Sequence, residues 1–555
     1  MRIARRNTSV VLLAFLFPAC ATEVADPAPH NDAITAGELS ADLHHLASDA
    51  MRGRLAGTAG IAEAAEWIAG RFGELGLEPA GTEGYFEPFD LNWFTLGTGN
   101  TLAVVSGDRR ARAPGDGWYP LNVSASASAE GEVVYSGYGI VEPRISWDDY
   151  RGADVSGKVV LVLEREPGPD DPESPFDGVV TSEASRDWRK VLSAQERGAV
   201  GVLFVRDVHR RDDADDYAAA AAAYWPDEPR RIERFTLGVW RDRVRIPVAQ
   251  VSAALASALV EPSGRRLEEL AAAAEAAPGG FGVVALPGTR VALTTAVERH
   301  VTPGRNVLAM VEGSDPALRD QVVIVAAHHD HNGADGDEVF NGADDDGSGT
   351  IGVLAVAKAY ALAAAEGRRP RRTVLFAVWD AEERGLLGAW YHTEHPRFPL
   401  DRVAAVLNMD MIGRDEEVPE DGGARFRGLE PQTAESNANA MNLLGYTRTP
   451  QLSAVVQEAN GEYGLELKLR YDNNASNLLR RSDHWPFLQN GVPALWFHTG
   501  LHPDYHTPLD DADRVGYPKM ERIVRLVHRA SWSLADGDGR PAMGPHPMGG
   551  GAGPE

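Results

Sequence analysis

Gln321-Val322-Val323-Ile324-Val325-Ala326-Ala327-His328-His329-Asp330-His331 is the stretch on which the reading of this chain turns. The apolar run after Gln321 does not alternate, so it predicts a strand buried on both faces. It stops abruptly at three imidazoles and a carboxylate. In an open α/β sheet, ligands gather beyond the carboxyl ends of strands, and His328 stands at such an end. Residues two apart on extended backbone share a face, which places Asp330 to accept a hydrogen bond from the His328 imidazole and fix that ring for a metal.

Two more apolar runs end in the same way. Residues 373–379 lead into Asp380-Ala381-Glu382-Glu383-Arg384-Gly385, and residues 403–409 lead into Asp410-Met411-Ile412-Gly413. Adjacent glutamates at a strand end can divide their labour, one binding metal and one moving a proton. Between the first two strands lies Asn341-Gly342-Ala343-Asp344-Asp345-Asp346-Gly347-Ser348-Gly349, followed by an apolar helix from Thr350. Three adjacent carboxylates repel one another unless they are solvated or neutralised by a cation. An EF-hand loop aligned on Gly347 would need an acidic residue where Gly342 stands and Glu where Val353 stands. A dinucleotide loop at Gly347-Ser348-Gly349-Thr350-Ile351-Gly352 would need a strand directly before it, where three aspartates would repel pyrophosphate. The last clusters are Arg481-Ser482-Asp483-His484 and Leu501-His502-Pro503-Asp504-Tyr505-His506-Thr507-Pro508. Each group alone reads as an acidic helix start, a turn or a polar loop. Their coincidence at strand ends makes a set of hard and borderline metal ligands.

Working outward, strands and helices alternate from about residue 290, which predicts a mixed, mostly parallel sheet sandwiched by helices. Residues 39–77 read as helix, loop, helix, broken at Arg52-Gly53-Arg54 and Gly57-Thr58-Ala59-Gly60. From about Glu132 to Leu255 short β-branched runs alternate with turns, predicting a small, mainly β inserted module. Within it Ala218 to Ala223 predicts a surface helix or a loose excursion. The expected organisation is a signal peptide at 1–20, a linker at 21–33, a first peptidase part at 34–116, the insert at 117–275, the catalytic part at 276–535 and a disordered tail at 536–555.

A length of 555 residues is too great for one compact core, so at least two domains are expected. Lys and Arg number 54 against 81 Asp and Glu, a formal charge of −27 that excludes nucleic acid as a natural partner. Arg2, Arg5 and Arg6 before the short apolar run Val10 to Phe17 predict export from a bacterial cell, since that run is too short to span a bilayer. The single cysteine, Cys20, is either the lipid-receiving thiol of a lipoprotein or an idle residue of an ordinary cleaved signal. Phe17 stands where a lipobox usually has Leu, and one cysteine allows no internal disulfide. The product is therefore expected to be periplasmic, an outer-membrane lipoprotein or secreted, with a lipid anchor at Cys20 as its one expected contact with membrane.

Taken with the motifs above, Ala327-His328-His329-Asp330, Glu382-Glu383-Arg384-Gly385-Leu386-Leu387-Gly388, Asn408-Met409-Asp410-Met411-Ile412-Gly413 and Asp504-Tyr505-His506 make the chain resemble the two-zinc aminopeptidases and related carboxypeptidases of clan MH. The insert resembles a protease-associated domain, through Tyr135-Ser136-Gly137-Tyr138-Gly139-Ile140, Asp154-Val155-Ser156-Gly157-Lys158-Val159-Val160 and Gly198-Ala199-Val200-Gly201-Val202-Leu203. The resemblance implies two Zn2+ ions, with Asp345 bridging them, His328 and Asp410 completing one site, and Glu383 and His506 the other. It implies Glu382 as general base, Asp330 as the partner of His328, and Tyr505 as a donor to the developing oxyanion. The implied activity is hydrolysis of N-terminal residues from peptides with a free amino end through a metal-activated water. A carboxypeptidase or dipeptidase on the same scaffold is the enzyme alternative. Glutaminyl cyclisation on one metal fits less well with five ligands, and a metal-free binding protein would have lost ligands that are all present here.

Overall fold

A computed structural model describes residues 28–105, 111–206 and 216–545. The expected signal peptide, Cys20, the start of the linker and the last ten residues lie outside the described residues. The larger sheet contains strands β1 (Phe86–Leu96), β2 (Val297–Val311), β3 (Val322–His328), β4 (Thr373–Trp379), β5 (Val403–Met409), β6 (Ala440–Leu444), β7 (Glu466–Lys468) and β8 (Ala494–His498). Their spatial order is β1-β2-β4-β3-β5-β8-β6-β7. The central four, β4, β3, β5 and β8, are parallel. β1, β2 and β6 pair antiparallel on the flanks. From β3 the chain passes to β4 on one side and then to β5 on the other. That reversal of winding direction opens a crevice at the carboxyl end of β3, where His328 sits.

The strands are apolar throughout because both faces are covered. Val323, Val325 and Ala327 pack with helices Ala36–Leu46, Ala59–Glu74, Gly349–Ala365 and Tyr517–Asp536. Val322, Ile324 and Ala326 face the other way, into a core with Leu387, Trp390, Trp485 and Phe487. The helix Tyr517–Asp536 buries Met520, Ile523, Val524, Val527 and Ala530, a stripe at three- and four-residue spacing that turns one side to the sheet.

A second sheet of eight strands, among the described residues, runs in the order 111–112, 101–104, 284–295, 127–135, 159–163, 201–205, 248–251, 118–120. It departs from the expected insert in two ways. Its limits exceed 117–275, because Val284–Thr295 returns to pair antiparallel with both Thr101–Val104 and Ala127–Tyr135. It is also mixed rather than mainly β. The strands 127–135, 159–163, 201–205 and 248–251 are parallel, and helices Asp187–Glu196, Ala253–Val260 and Leu267–Glu275 accompany them. The alanine run does form a helix, Tyr217–Tyr224.

Residues 537–545, expected as part of a disordered tail, are instead tied down. Arg372 Nη1 donates to Gly537 O at 2.6 Å, Arg540 Nη2 to Val403 O at 2.9 Å, and Gly544 N to Arg448 O at 2.7 Å. Partners fixed on the folded body offset the ordering cost that a Gly- and Pro-rich segment pays alone.

Candidate metal centre

Each candidate ligand leaves the sheet at a carboxyl end. His328 closes β3, Glu382 and Glu383 follow β4, Asp410 follows β5, Asp345 precedes the helix Gly349–Ala365, and His506 lies in the loop after β8. The structure brings all of them together. His328 Nε2 is 3.4 Å from Asp345 Oδ1 and 3.8 Å from both Glu382 Oε2 and Asp410 Oδ2. His506 Nε2 is 2.9 Å from Asp345 Oδ2 and 3.1 Å from Glu383 Oε1. The donor atoms form two groups able to hold an ion, His331, Asp345, Glu383 and His506 in one, and His328, Glu382 and Asp410 in the other.

The three adjacent aspartates, equivalent in the sequence, are separated by their partners. The Asp346 carboxylate accepts from the backbone N–H of His328, Gly349 and Met411 at 3.1, 2.8 and 3.2 Å, stitching the strand ends to the helix start. Asp344 accepts from Gly413 N at 2.6 Å and from Ser348 Oγ at 3.1 Å. Asp345 turns its carboxylate to His328 and His506, whereas Asp344 Oδ2 lies 3.3 Å from His502 Nε2, outside both donor groups. The Asp346 carboxylate and the end of β5 come so close to the helix start that position 349 requires glycine, where a Cβ would lie 2.3 Å from Met409 O.

Asp330 behaves differently from expectation. His328 Nδ1 is 3.2 Å from the Asp330 carbonyl oxygen but 3.6 Å from its carboxylate, so the backbone holds the ring more closely. The carboxylate is taken up by the next strand end instead, accepting from Glu382 N at 2.8 Å and Glu383 N at 3.3 Å. The turn it caps carries Ala381 at a left-handed φ of 58°, and Met411 and His506 have φ of 59° and 56° beside their own ligand positions. Non-glycine residues in that region are costly and cluster at functional sites.

The buried charges of the centre set one another's protonation. Burial lowers the affinity of His328 for a proton, but Glu382, Asp330, Asp345 and Asp410 outweigh it and hold the ring well above its ordinary range. Burial likewise opposes a proton on His506, yet Glu383 and Asp345 push it up to about 10. Burial raises Asp345 and Glu383, but the neighbouring imidazoles pull both below the usual carboxylate range. Glu382 goes the other way. Its burial, with Asp410, Asp483 and Glu383 nearby, holds its carboxyl well above the usual range against the pull of His328. Tyr505 stacks on His506 with ring centroids 3.8 Å apart, and burial beside Asp345 and Glu383 keeps its phenol protonated well above the ordinary range.

Sequence reasoning quoted His331 without giving it a role. It is fully buried, and its Nδ1 lies 2.9 Å from Glu383 Oε1 and 3.7 Å from Asp345 Oδ2. It stands three residues from His328, a spacing that strand periodicity puts on the opposite face, and His329, two residues before it, turns away to the Trp379 carbonyl. Ser482 Oγ donates to Asp410 Oδ2 and accepts from Asn408 Nδ2, so it orients that ligand. Asn332 Nδ2 donates to Glu383 Oε1 at 2.9 Å, while Arg231 of the insert reaches the Asn332 carbonyl at 2.7 Å. Arg54, read only as a helix break, is wholly buried and donates to the carbonyls of His329, Leu46, Asn341 and Gly342 at 2.7–3.0 Å. His484 is buried too but belongs to neither group.

These residues fit divalent metal. His328 Nε2, both nitrogens of His331 and His506 Nε2 are buried without completing a hydrogen bond, and they converge on carboxylates. Buried polar atoms are normally satisfied, and a cation would satisfy this set. His506 is a third exposed while His328, Asp345, Glu382, Glu383 and Asp410 are almost wholly covered, so the centre opens on the His506 side.

Comparison with known proteins agrees with that reading. Residues 306–531 match Peptidase family M28. The chain is 28% identical over 261 residues to a probable zinc metalloprotease of Leptosphaeria maculans, covering 42% of this chain and 58% of that protein. It is 30% identical over 239 residues to a probable glutamate carboxypeptidase of Arabidopsis thaliana, covering 41% and 30%. It is 29% identical over 196 residues to leucine aminopeptidase 2 of Trichophyton equinum, covering 35% and 33%. The chain thus spans between about a third and three fifths of the length of these relatives. The segment that matches this family, residues 306–531, carries every side chain of the two donor groups.

Proposed function

We propose that this chain is an exported two-zinc exopeptidase that removes N-terminal residues from peptides. The observation that carries the proposal is a single carboxylate, Asp345, placed between His328 on one oxygen and His506 on the other, with a further acid completing each side. In this reading His328 and Asp410 would hold one ion and Glu383 and His506 the other, with His331 beside the second set. When bound, the pair of ions supplies Lewis acidity toward water and toward the scissile carbonyl.

The chain's own residues do the rest. Glu382, held with a raised proton affinity at the edge of the first group, takes a proton from water and returns it to the leaving amine. Tyr505, kept protonated, donates to the oxygen on which charge develops. Ser482 and Asp330 hold Asp410 and the Glu382–Glu383 turn in register. The amino-end preference draws on the leucine aminopeptidase relative. The glutamate carboxypeptidase relative keeps carboxyl-end cleavage as the second reading.

The test is incubation with a mixed peptide library, followed by identification of the released residues. Loss of N-terminal residues, abolished by chelation and restored by zinc, supports the proposal. Release only from the carboxyl end selects the second reading, and chelator-insensitive release contradicts both.

A further inference from the structure

The inserted unit meets the peptidase domain beside the metal centre, through residues 177–186. There the Glu183 carboxylate is buried at 2% exposure. It accepts from Arg480 Nη2, Trp485 Nε1 and Arg186 Nε, each at 3.0 Å. Arg480 Nη1 also donates to the Thr181 carbonyl at 2.7 Å. Two of these donors flank Ser482, whose hydroxyl donates to Asp410, and Asn408 Nδ2 donates to that hydroxyl at 2.7 Å. One carboxylate of the insert thus grips both ends of the short turn that aims a metal-ligand acid.

The grip is selective within the interface. Elsewhere on the same face Arg448 Nη2 donates to Asp177 at 2.6 Å, and Asn473 Oδ1 accepts from Val179 N at 2.9 Å. Both contacts are made by residues outside the 480–485 turn. A buried carboxylate with three donors is held rigidly, because loss of any donor or of the charge leaves the others unpaired in a dry setting. Burial opposes ionisation of Glu183, but Arg186, Arg480 and Trp485 outweigh it and keep the group charged.

We infer that the insert braces the metal centre, and that Glu183 is a positioning residue that sets Asp410 through the 480–485 turn. This rests on the proposed two-zinc reading, and it gives the insert a part in catalysis rather than that of a spacer. Residues that orient metal ligands from behind typically change metal affinity by about 10- to 100-fold when removed.

The experiment compares the full chain with Glu183→Ala, Glu183→Gln and Asp177→Asn. Zinc affinity of the metal-stripped proteins is read by chelator competition, alongside kcat, KM and thermal unfolding. Glu183→Ala is expected to weaken one of the two zinc ions by about 10- to 100-fold and to lower kcat with KM little changed. Glu183→Gln, which keeps an acceptor for Trp485, is expected to fall between. Asp177→Asn loosens the same interface and is expected to lower the unfolding temperature while zinc affinity stays near that of the parent chain. Wild-type zinc affinity in Glu183→Ala overturns the inference, as does an equal loss in Asp177→Asn. If Glu183→Ala does not fold, Trp485→Phe removes one donor at similar volume, and unchanged zinc affinity there overturns it as well. The unmutated protein reads the function separately: a parent chain that binds no zinc defeats the two-zinc reading, whereas the variants are scored only against a parent that does.

Discussion

His506 Nε2 lies 2.9 Å from Asp345 Oδ2, while the other oxygen of that carboxylate faces His328. One acid is therefore shared by two ligand groups that arrive from different strand ends. Asp345→Asn is expected to abolish tight binding of both zinc ions, whereas Asp410→Asn should cost one. Asp346→Asn should lower stability through its backbone bonds and leave two ions bound. Metal analysis after dialysis at fixed free zinc distinguishes the three, and two ions retained in Asp345→Asn would refute the bridging role.

Proton transfer and oxyanion donation separate cleanly by substitution. Glu382→Gln is expected to lower kcat by about 10²- to 10⁴-fold with full metal content. Tyr505→Phe should lower kcat by about 10²- to 10³-fold if its hydroxyl stabilises the transition state. Steady-state kinetics with metal analysis of the same samples checks both, and near-normal kcat in either variant removes that residue from its role.

Arg54 joins the ligand loops by donating to four backbone carbonyls from a fully buried position. Arg54→Met strands those acceptors and is expected to cost roughly 3 kcal/mol or more. Denaturant unfolding of metal-stripped protein measures the cost without the contribution of bound ions, and a loss under about 1 kcal/mol contradicts it.

The inserted unit carries its own pH dependence. Burial raises Glu166 to about 7, against two bonds from Ser182. Its folded value is above its unfolded value of about 4.3, so the folded state binds the extra proton between them. Stability from this group accordingly rises as pH falls through about 7 and levels off below about 4.3. Glu166→Gln should flatten that rise by roughly 1–3 kcal/mol, read from unfolding at pH 8 and pH 5.5. An unchanged slope would show that the carboxyl is ionised throughout.

Much of the centre was legible because its ligands end apolar strands. Runs such as 322–327 and 373–379 announce buried parallel strands by composition, and the residue that follows each is fixed at the crevice by topology. What escaped depends on long-range contact. Asp344, Asp345 and Asp346 are indistinguishable as text, and only their partners on the 409–413 turn and on His328 separate them. His331 stands three residues from His328, a spacing that strand periodicity puts on the opposite face, and Arg54 sits nearly three hundred residues from the Asn341 and Gly342 carbonyls it satisfies. The insert was misjudged at its edges because Val284–Thr295 pairs with strands about 150 to 190 residues earlier, which no local pattern records.

The proposed centre would hold two ions and act with them on the amino end of a peptide. Zinc titration of the metal-stripped chain, with release of residues from aminoacyl chromogenic substrates followed in the same cuvette, tests this most directly. The expected result is saturation at about two zinc ions per chain, with activity rising as the ions bind and lost on chelation. A chain that binds no zinc at micromolar concentrations, or that cleaves these substrates equally well without it, would contradict the account.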